Sequence, residues 1–133
     1  MLKGSFPLST ARRMEFLDIT SALEQEIARA GGRDGICVVY NPHTTAGLTI
    51  NEGADPAVQD DIVGVLQQMV PQKYPYKHLE GNSPAHVMAS LMGSSVTVLV
   101  DGGRLQLGTW QRIFFCEFDG PRSRKVWWRL LGQ

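Results

Sequence analysis

One short run of this 133-residue chain gathers groups that an apolar core has no use for: His78-Leu79-Glu80-Gly81-Asn82-Ser83-Pro84-Ala85-His86. It holds two imidazoles, a carboxylate and an amide beside a helix start. Asn82 or Ser83 can cap a helix, and Pro84 suits the first helical position, where an N–H would lack a partner anyway. His86 then falls in the first turn, where the helix dipole opposes protonation and favours the neutral imidazole that binds metal. His78, on irregular backbone just upstream, can fold back towards it. A capped helix behind a turn, with two ordinary polar histidines, would account for the same residues without any chemistry.

The third histidine stands elsewhere. Gly35-Ile36-Cys37-Val38-Val39-Tyr40 is continuously apolar after its glycine, which predicts a strand buried on both faces. It runs into Asn41-Pro42-His43-Thr44-Thr45-Ala46-Gly47, so His43 emerges from the end of a rigid element, a good mount for a functional group. Thr44 and Thr45 add hydroxyls beside it. Three imidazoles with one open position is a catalytic zinc arrangement. Their spacing alone does not make them converge, since no HExxH-like helix face holds them.

The elements that must position these residues follow from periodicity. Leu2, Gly4, Phe6 and Leu8 alternate with polar residues as a half-buried strand, and Pro7 marks it as an edge. Residues 13–19 read as its hairpin partner. Ser21 and Glu24 fit a capping box for a helix carrying Leu23, Ile27 and Ala30, ended by Gly31-Gly32. Ala46 to Glu52 is a strand. Asp55-Pro56 opens the clearest helix, with Val58, Ile62, Val65, Leu66 and Met69 as its apolar stripe. Val87, Met88 and Leu91 form the stripe of a shorter helix that Gly93 terminates. Ser95 to Val100 is a strand with a hairpin turn at Asp101-Gly102-Gly103-Arg104. Trp110 to Phe118 reads as a long central strand, apolar on both faces, and Val126, Trp128 and Leu130 alternate in the last one. The polar groups Gln111, Arg112 and Glu117 on the central strand need partners, because an unpaired buried group costs about 1–3 kcal/mol. The expected fold is α+β: a mostly antiparallel β-sandwich with about three helices packed outside, in one domain over residues 1–133.

Composition narrows the function classes. Thirteen basic residues balance thirteen acidic ones, which argues against nucleic-acid binding through a general positive field. No apolar run approaches the ~20 residues of a membrane helix. The first residues lack the apolar core of a signal peptide, so the cytoplasm is the expected location. Cys37 and Cys116 lie in apolar strand-like runs and read as small buried hydrophobes rather than a disulfide.

Four blocks, in order, resemble the YjbQ family. They are His43-Thr44-Thr45-Ala46-Gly47-Leu48-Thr49-Ile50-Asn51-Glu52 with Asp55; the His78–His86 run; Gly103 to Ile113, containing Gly108-Thr109-Trp110-Gln111; and Glu117-Phe118-Asp119-Gly120-Pro121-Arg122. Each alone is weak, and their combination spans nearly the whole chain. The resemblance implies a small α+β β-sandwich, usually a homotrimer, with His43, His78 and His86 as metal-site candidates. It also implies an enzyme label, secondary thiamine-phosphate synthase. That activity joins hydroxymethylpyrimidine diphosphate to thiazole phosphate and releases pyrophosphate, and it is not necessarily the physiological reaction.

The label's chemistry needs cations or N–H groups around departing phosphates, for which the helix start at Ser83, Gly102, Gly103, Arg112, Arg122 and Arg124 are the candidates. Thr44, Thr45, Asn82 and Ser83 are substrate-binding candidates near the histidines, and Trp110, Gln111, Arg112 and Arg122 extend that set. Trp110 could stack on a heterocycle, although its place in an apolar strand favours the core. Arg122, Arg124 and Lys125 also read as a solvated, charge-guarded strand end. Glu117 and Arg112 also read as a buried pair joining strands. Magnesium suits a diphosphate but prefers oxygen ligands, whereas imidazoles suit zinc or another transition metal. A three-histidine metal fits water activation, with Glu52, Glu80 or Glu117 as general base. Metal-assisted hydrolysis of a phosphorylated or acylated small molecule is therefore the competing expectation. A non-catalytic trimeric metal- or ligand-binding protein is the third.

Overall fold

The computed structural model describes residues 1–132; the predicted domain is followed to Gly132, and Gln133 lies outside the described residues. Alternating side chains build two antiparallel sheets. The first has the order β1-β8-β3-β5-β6: β1 (Leu2–Ser9), β8 (Ser123–Gly132), β3 (Gly35–Tyr40), β5 (Ser95–Asp101) and β6 (Arg104–Leu105). The second has the order β2-β7-β4: β2 (Glu15–Asp18), β7 (Gln111–Glu117) and β4 (Ala46–Glu52). Three helices, α1 (Thr20–Arg29), α2 (Pro56–Met69) and α3 (Ser83–Met92), complete the α+β sandwich.

The inner faces meet in a core of Phe6, Cys37, Val39, Val98, Val126, Trp128 and Leu130 against Leu48, Ile113 and Phe115, to which α1 adds Leu23 and Ile27. The opposite face of β7 presents Phe114 and Cys116 to a second cluster with Leu66 and Val70 of the α2 end and Ala85, Met88 and Ala89 of α3. Strand β7 is thus central and buried on both sides, as its two apolar parities require. Burying these large side chains is the main stabilising term, at roughly 1.5–3 kcal/mol for each fully buried Leu, Ile, Val or Phe. Pro7 lies on the edge strand β1, where its missing N–H costs no ladder bond. Asp55 caps α2, its Oδ1 accepting from the Ala57 N–H at 3.0 Å. The β5–β6 hairpin turns on Gly102 and Gly103, whose positive φ of 59° and 78° suits glycine.

Several expectations are corrected. Residues 15–18 do not pair with β1: β2 crosses to the other sheet and pairs with β7, Phe16 facing Cys116 in register. The Ser21/Glu24 capping box is absent. The helix starts at Thr20, where Asp18 Oδ1 accepts the Thr20 N–H, and Glu24 instead accepts from the Leu105 N–H across the fold. Strand β3 is covered on one face only, leaving Ile36 and Tyr40 exposed on the other. On α2 and α3 the stripes rotate: Leu66 and Met88 are buried, whereas Val65, Met69, Val87 and Leu91 are exposed and Ala85 and Ala89 face the sheet. Small residues let α3 lie close against β4, where Gly47 meets Met92.

Candidate functional site

The link between β3 and β4 holds His43 through a buried amide. Asn41 Oδ1 accepts the His43 N–H at 3.0 Å, and Asn41 Nδ2 donates to the Ala46 carbonyl at 2.6 Å. This turn built on the Asn41 side chain fixes the chain as it leaves the strand. The His43 ring is then locked from outside, its Nε2 accepting the Lys125 N–H of β8 at 3.0 Å. Partial burial and the nearby Arg124 charge hold its pKa below the ordinary value of 6.5, so the ring is neutral. With Nε2 used as an acceptor, its proton sits on Nδ1.

Helix α3 brings in the other two imidazoles. Asn82 is its N-cap position and Pro84 lies in its first turn, which puts His86 near the positive end of the helix. His78 folds back as expected: the two rings are 5.2 Å apart between centroids and nearly perpendicular at 88°. His78 is exposed, with Nε2 3.8 Å from Glu80 Oε1. Asn82 caps nothing with its side chain. Its Nδ2 donates to Asp119 Oδ2 at 2.9 Å, leaving Oδ1 buried with no partner. Asp119 also accepts from Arg122 Nη2 at 3.0 Å, and these contacts outweigh its burial and lower its pKa.

All three histidines line one cleft of about 400 Å³, with Thr44, Thr45, Glu80, Asn82, Asp119, Arg122 and Arg124. Beneath it lies an ion pair that sequence reasoning placed wrongly. Glu117 is fully buried and pairs with Arg124, not Arg112. Its Oε1 accepts from Thr10 Oγ1 at 2.7 Å and Arg124 Nε at 2.8 Å, and its Oε2 accepts from Arg124 Nη2 and the Asp119 N–H. Burial alone would raise the Glu117 pKa; these donors outweigh it and hold the carboxylate ionised. Arg124 is only 6% exposed and also donates to Thr45 Oγ1 at 3.0 Å, so it is no solvated strand end. Its parity with Val126, Trp128 and Leu130 was the available signal.

The remaining predicted residues do not join the cleft. Ser83 is buried in the first turn of α3. Glu52 and Gln111 face each other in register at the far end of β4 and β7, while Ala46 and Glu117 mark the near end. The seven residues of β4 separate the two ends by roughly 20 Å. Trp110 is 63% exposed at that far end rather than in the core. Arg112 is next to it and pairs with Asp18 at 2.7 Å. Asn41, Thr10 and Asp119 are the site-building residues to which motif reading gave no role, whereas Arg124 stood among the phosphate-binding candidates and is instead the buried partner of Glu117. Of these, Asn41-Pro42 before His43 carries a recognisable turn signature.

The implied metal can be tested against these donors. Two imidazoles sharing one tetrahedral zinc, with Zn–N about 2.0–2.1 Å, would have ring centroids about 5 Å apart. The centroids of His78 and His86, 5.2 Å apart, match that spacing. His43 does not fit, because Nε2 is occupied by the Lys125 N–H and Nδ1 carries the proton. Among the described residues no three His, Cys, Asp or Glu side chains are placed to hold a metal ion.

The fold and cleft define an α+β sandwich protein with a histidine-lined polar site between the loop after β3 and the start of α3. The chain belongs to the family described as UPF0047 protein YjbQ-like, which it matches over residues 4–133. It is 47% identical over 127 residues to a UPF0047 protein of Methanocaldococcus jannaschii, covering 96% of this chain and 92% of that one. It is 44% identical to the UPF0047 protein YugU of Bacillus subtilis, covering 99% and 100%. Among solved structures, a hypothetical protein from Aeropyrum pernix K1 superposes with a TM-score of 0.93 at 44% identity over all of both chains. An uncharacterized conserved protein of the same family from Clostridium acetobutylicum superposes with a TM-score of 0.92 at 50% identity, covering 96% and 98%.

Proposed function

We propose that the chain is a metal-dependent enzyme acting on a phosphorylated small molecule, with a divalent transition metal held by His78 and His86. The observation that carries this reading is the perpendicular imidazole pair at 5.2 Å, open to a polar cleft. The cleft's cations are already paired, Arg122 with Asp119 and Arg124 with Glu117, and Glu80 adds a further carboxylate. A bound divalent cation would supply the missing positive charge for an anionic substrate and lower the pKa of a bound water. Glu80, exposed beside His78, is the carboxylate free to take a proton. Glu117 anchors the floor, since both its oxygens are engaged. Neutral His43 is held to β8 and shapes the wall.

Thiamine-phosphate formation from the pyrimidine diphosphate and thiazole phosphate is the named activity within this reading. Hydrolysis of a single phosphorylated or acylated substrate is favoured by one observation: Trp110, Gln111, Arg112 and Glu52 lie at the far end of the sheet, so the cleft of one chain holds few groups for two heterocycles. Pyrophosphate release requiring both thiamine halves would establish transfer; turnover of one substrate with water would establish hydrolysis. Association as a homotrimer belongs to the same reading. It is supported by the apolar side chains of Ile36, Tyr40, Leu99, Trp127 and Leu131 left exposed on the five-stranded sheet, and light scattering measures it.

Metal analysis of untagged protein tests the central claim. The expected result is about one zinc-like ion per chain, lost in His78→Ala and His86→Ala. A parent protein that carries no metal and takes none up on titration overturns it and leaves a non-catalytic ligand-binding protein.

A further inference from the structure

The imidazoles do not sit at the end of the cleft. A second cavity of about 320 Å³ shares His43, Thr44 and His86 with the first and adds Ala89, Ser90 and Ser94. The two differ in chemistry. The first carries Glu80, Asp119, Arg122 and Arg124. The second carries no ionisable group beyond the two shared histidines. Its walls are small residues from the last turns of α3 and the link to β5. Ser90 Oγ donates to the His86 carbonyl at 3.1 Å, and Ser94 is held by its backbone, whose carbonyl accepts from the Asn41 N–H at 2.8 Å. The space is about twice the ~150 Å³ of a cavity that admits benzene.

Resting on the functional reading above, we infer that the second cavity is a subsite for an uncharged, ring-sized part of the substrate. His43, Thr44 and His86 then stand at the junction, and the substrate is bipartite: an anionic group on the Arg122 side and a neutral group against Ala89, Ser90 and Ser94. This assigns the substrate class as a phosphorylated compound bearing a neutral ring, rather than a polyanion filling both cavities.

Zinc-supplemented protein would be titrated calorimetrically with inorganic phosphate and with phenyl phosphate, using the parent, Ser90→Phe and Ser94→Phe. Both serines are exposed, so the bulkier side chains fill the cavity without entering the core. The parent is expected to prefer phenyl phosphate by about tenfold, equivalent to about 1.4 kcal/mol. Each variant is expected to erase that preference while binding phosphate within about twofold of the parent. No preference in the parent, or an undiminished one in both variants, overturns the subsite. Zinc content is measured on the same samples. Zinc without binding of either phosphate overturns the subsite and the anionic substrate but leaves the metal pair standing. No zinc uptake overturns the metal reading, and the phenyl preference then decides the subsite on its own.

Discussion

The two ends of the three-stranded sheet solve the same problem in opposite ways. At the cleft end, β7 finishes with Glu117, sealed from solvent, every carboxylate lone pair directed at a donor on Thr10, Arg124 or the Asp119 backbone. At the far end, β7 begins beside Arg112, which makes a part-exposed pair with Asp18, and the bare indole of Trp110. One end is rigid because removing either ionic partner strands a charge away from water. The other can lose its pair to solvent at little cost. The cleft is thus mounted on the half of the sheet least able to rearrange, as preorganised binding groups require.

The largest effect should come from cutting the buried pair. Arg124→Met leaves Glu117 buried without its ionic partner and should lower unfolding stability by about 3–5 kcal/mol in denaturant titration; a loss under ~1 kcal/mol would erase the contrast between the ends. Acidification should show the same asymmetry. The folded Glu117 pKa lies below its ordinary 4.5, so the unfolded chain binds the proton first. The stability it contributes is present above about pH 4.5 and is lost as pH falls through the folded value. His43 acts in the same direction but earlier: its folded pKa is lowered from 6.5, so metal-free protein should begin to lose stability as pH drops below about 6.5. His43→Gln should remove that first phase in a pH series of melting curves and leave the lower one. Asp18→Asn, at the far end, should cost no more than about 1 kcal/mol, as exposed pairs do. Smallest of all, Trp110→Ala should shift stability by about 0.5 kcal/mol or less. A loss above ~2 kcal/mol there would mean that the indole is covered in solution.

The local blocks were legible in the sequence because short-range rules write them. Period-two alternation marked β1 and β8, Asp55-Pro56 marked the start of α2, and Pro84 and Gly93 bracketed α3. The His78–His86 run could be read as a fold-back because its whole geometry lies within one turn and one helix start. What periodicity could not say was which face would be covered. Alternation assigns residues to a side without naming the side's neighbour, so the exposed Tyr40 and Ile36 of β3 looked like core.

The chain by itself therefore determined the elements, the apolar parities and the grouping of His78, Glu80, Asn82 and His86, all consequences of backbone sterics and spacing. Only the tertiary structure decided the rest. It sent β2 to β7 instead of β1, exchanged Arg112 for Arg124 as the partner of Glu117, and tied His43 Nε2 to the Lys125 N–H. These contacts join residues far apart in sequence, and their partners are chosen by which strands stack and by the need to pair every charge that the stacking buries.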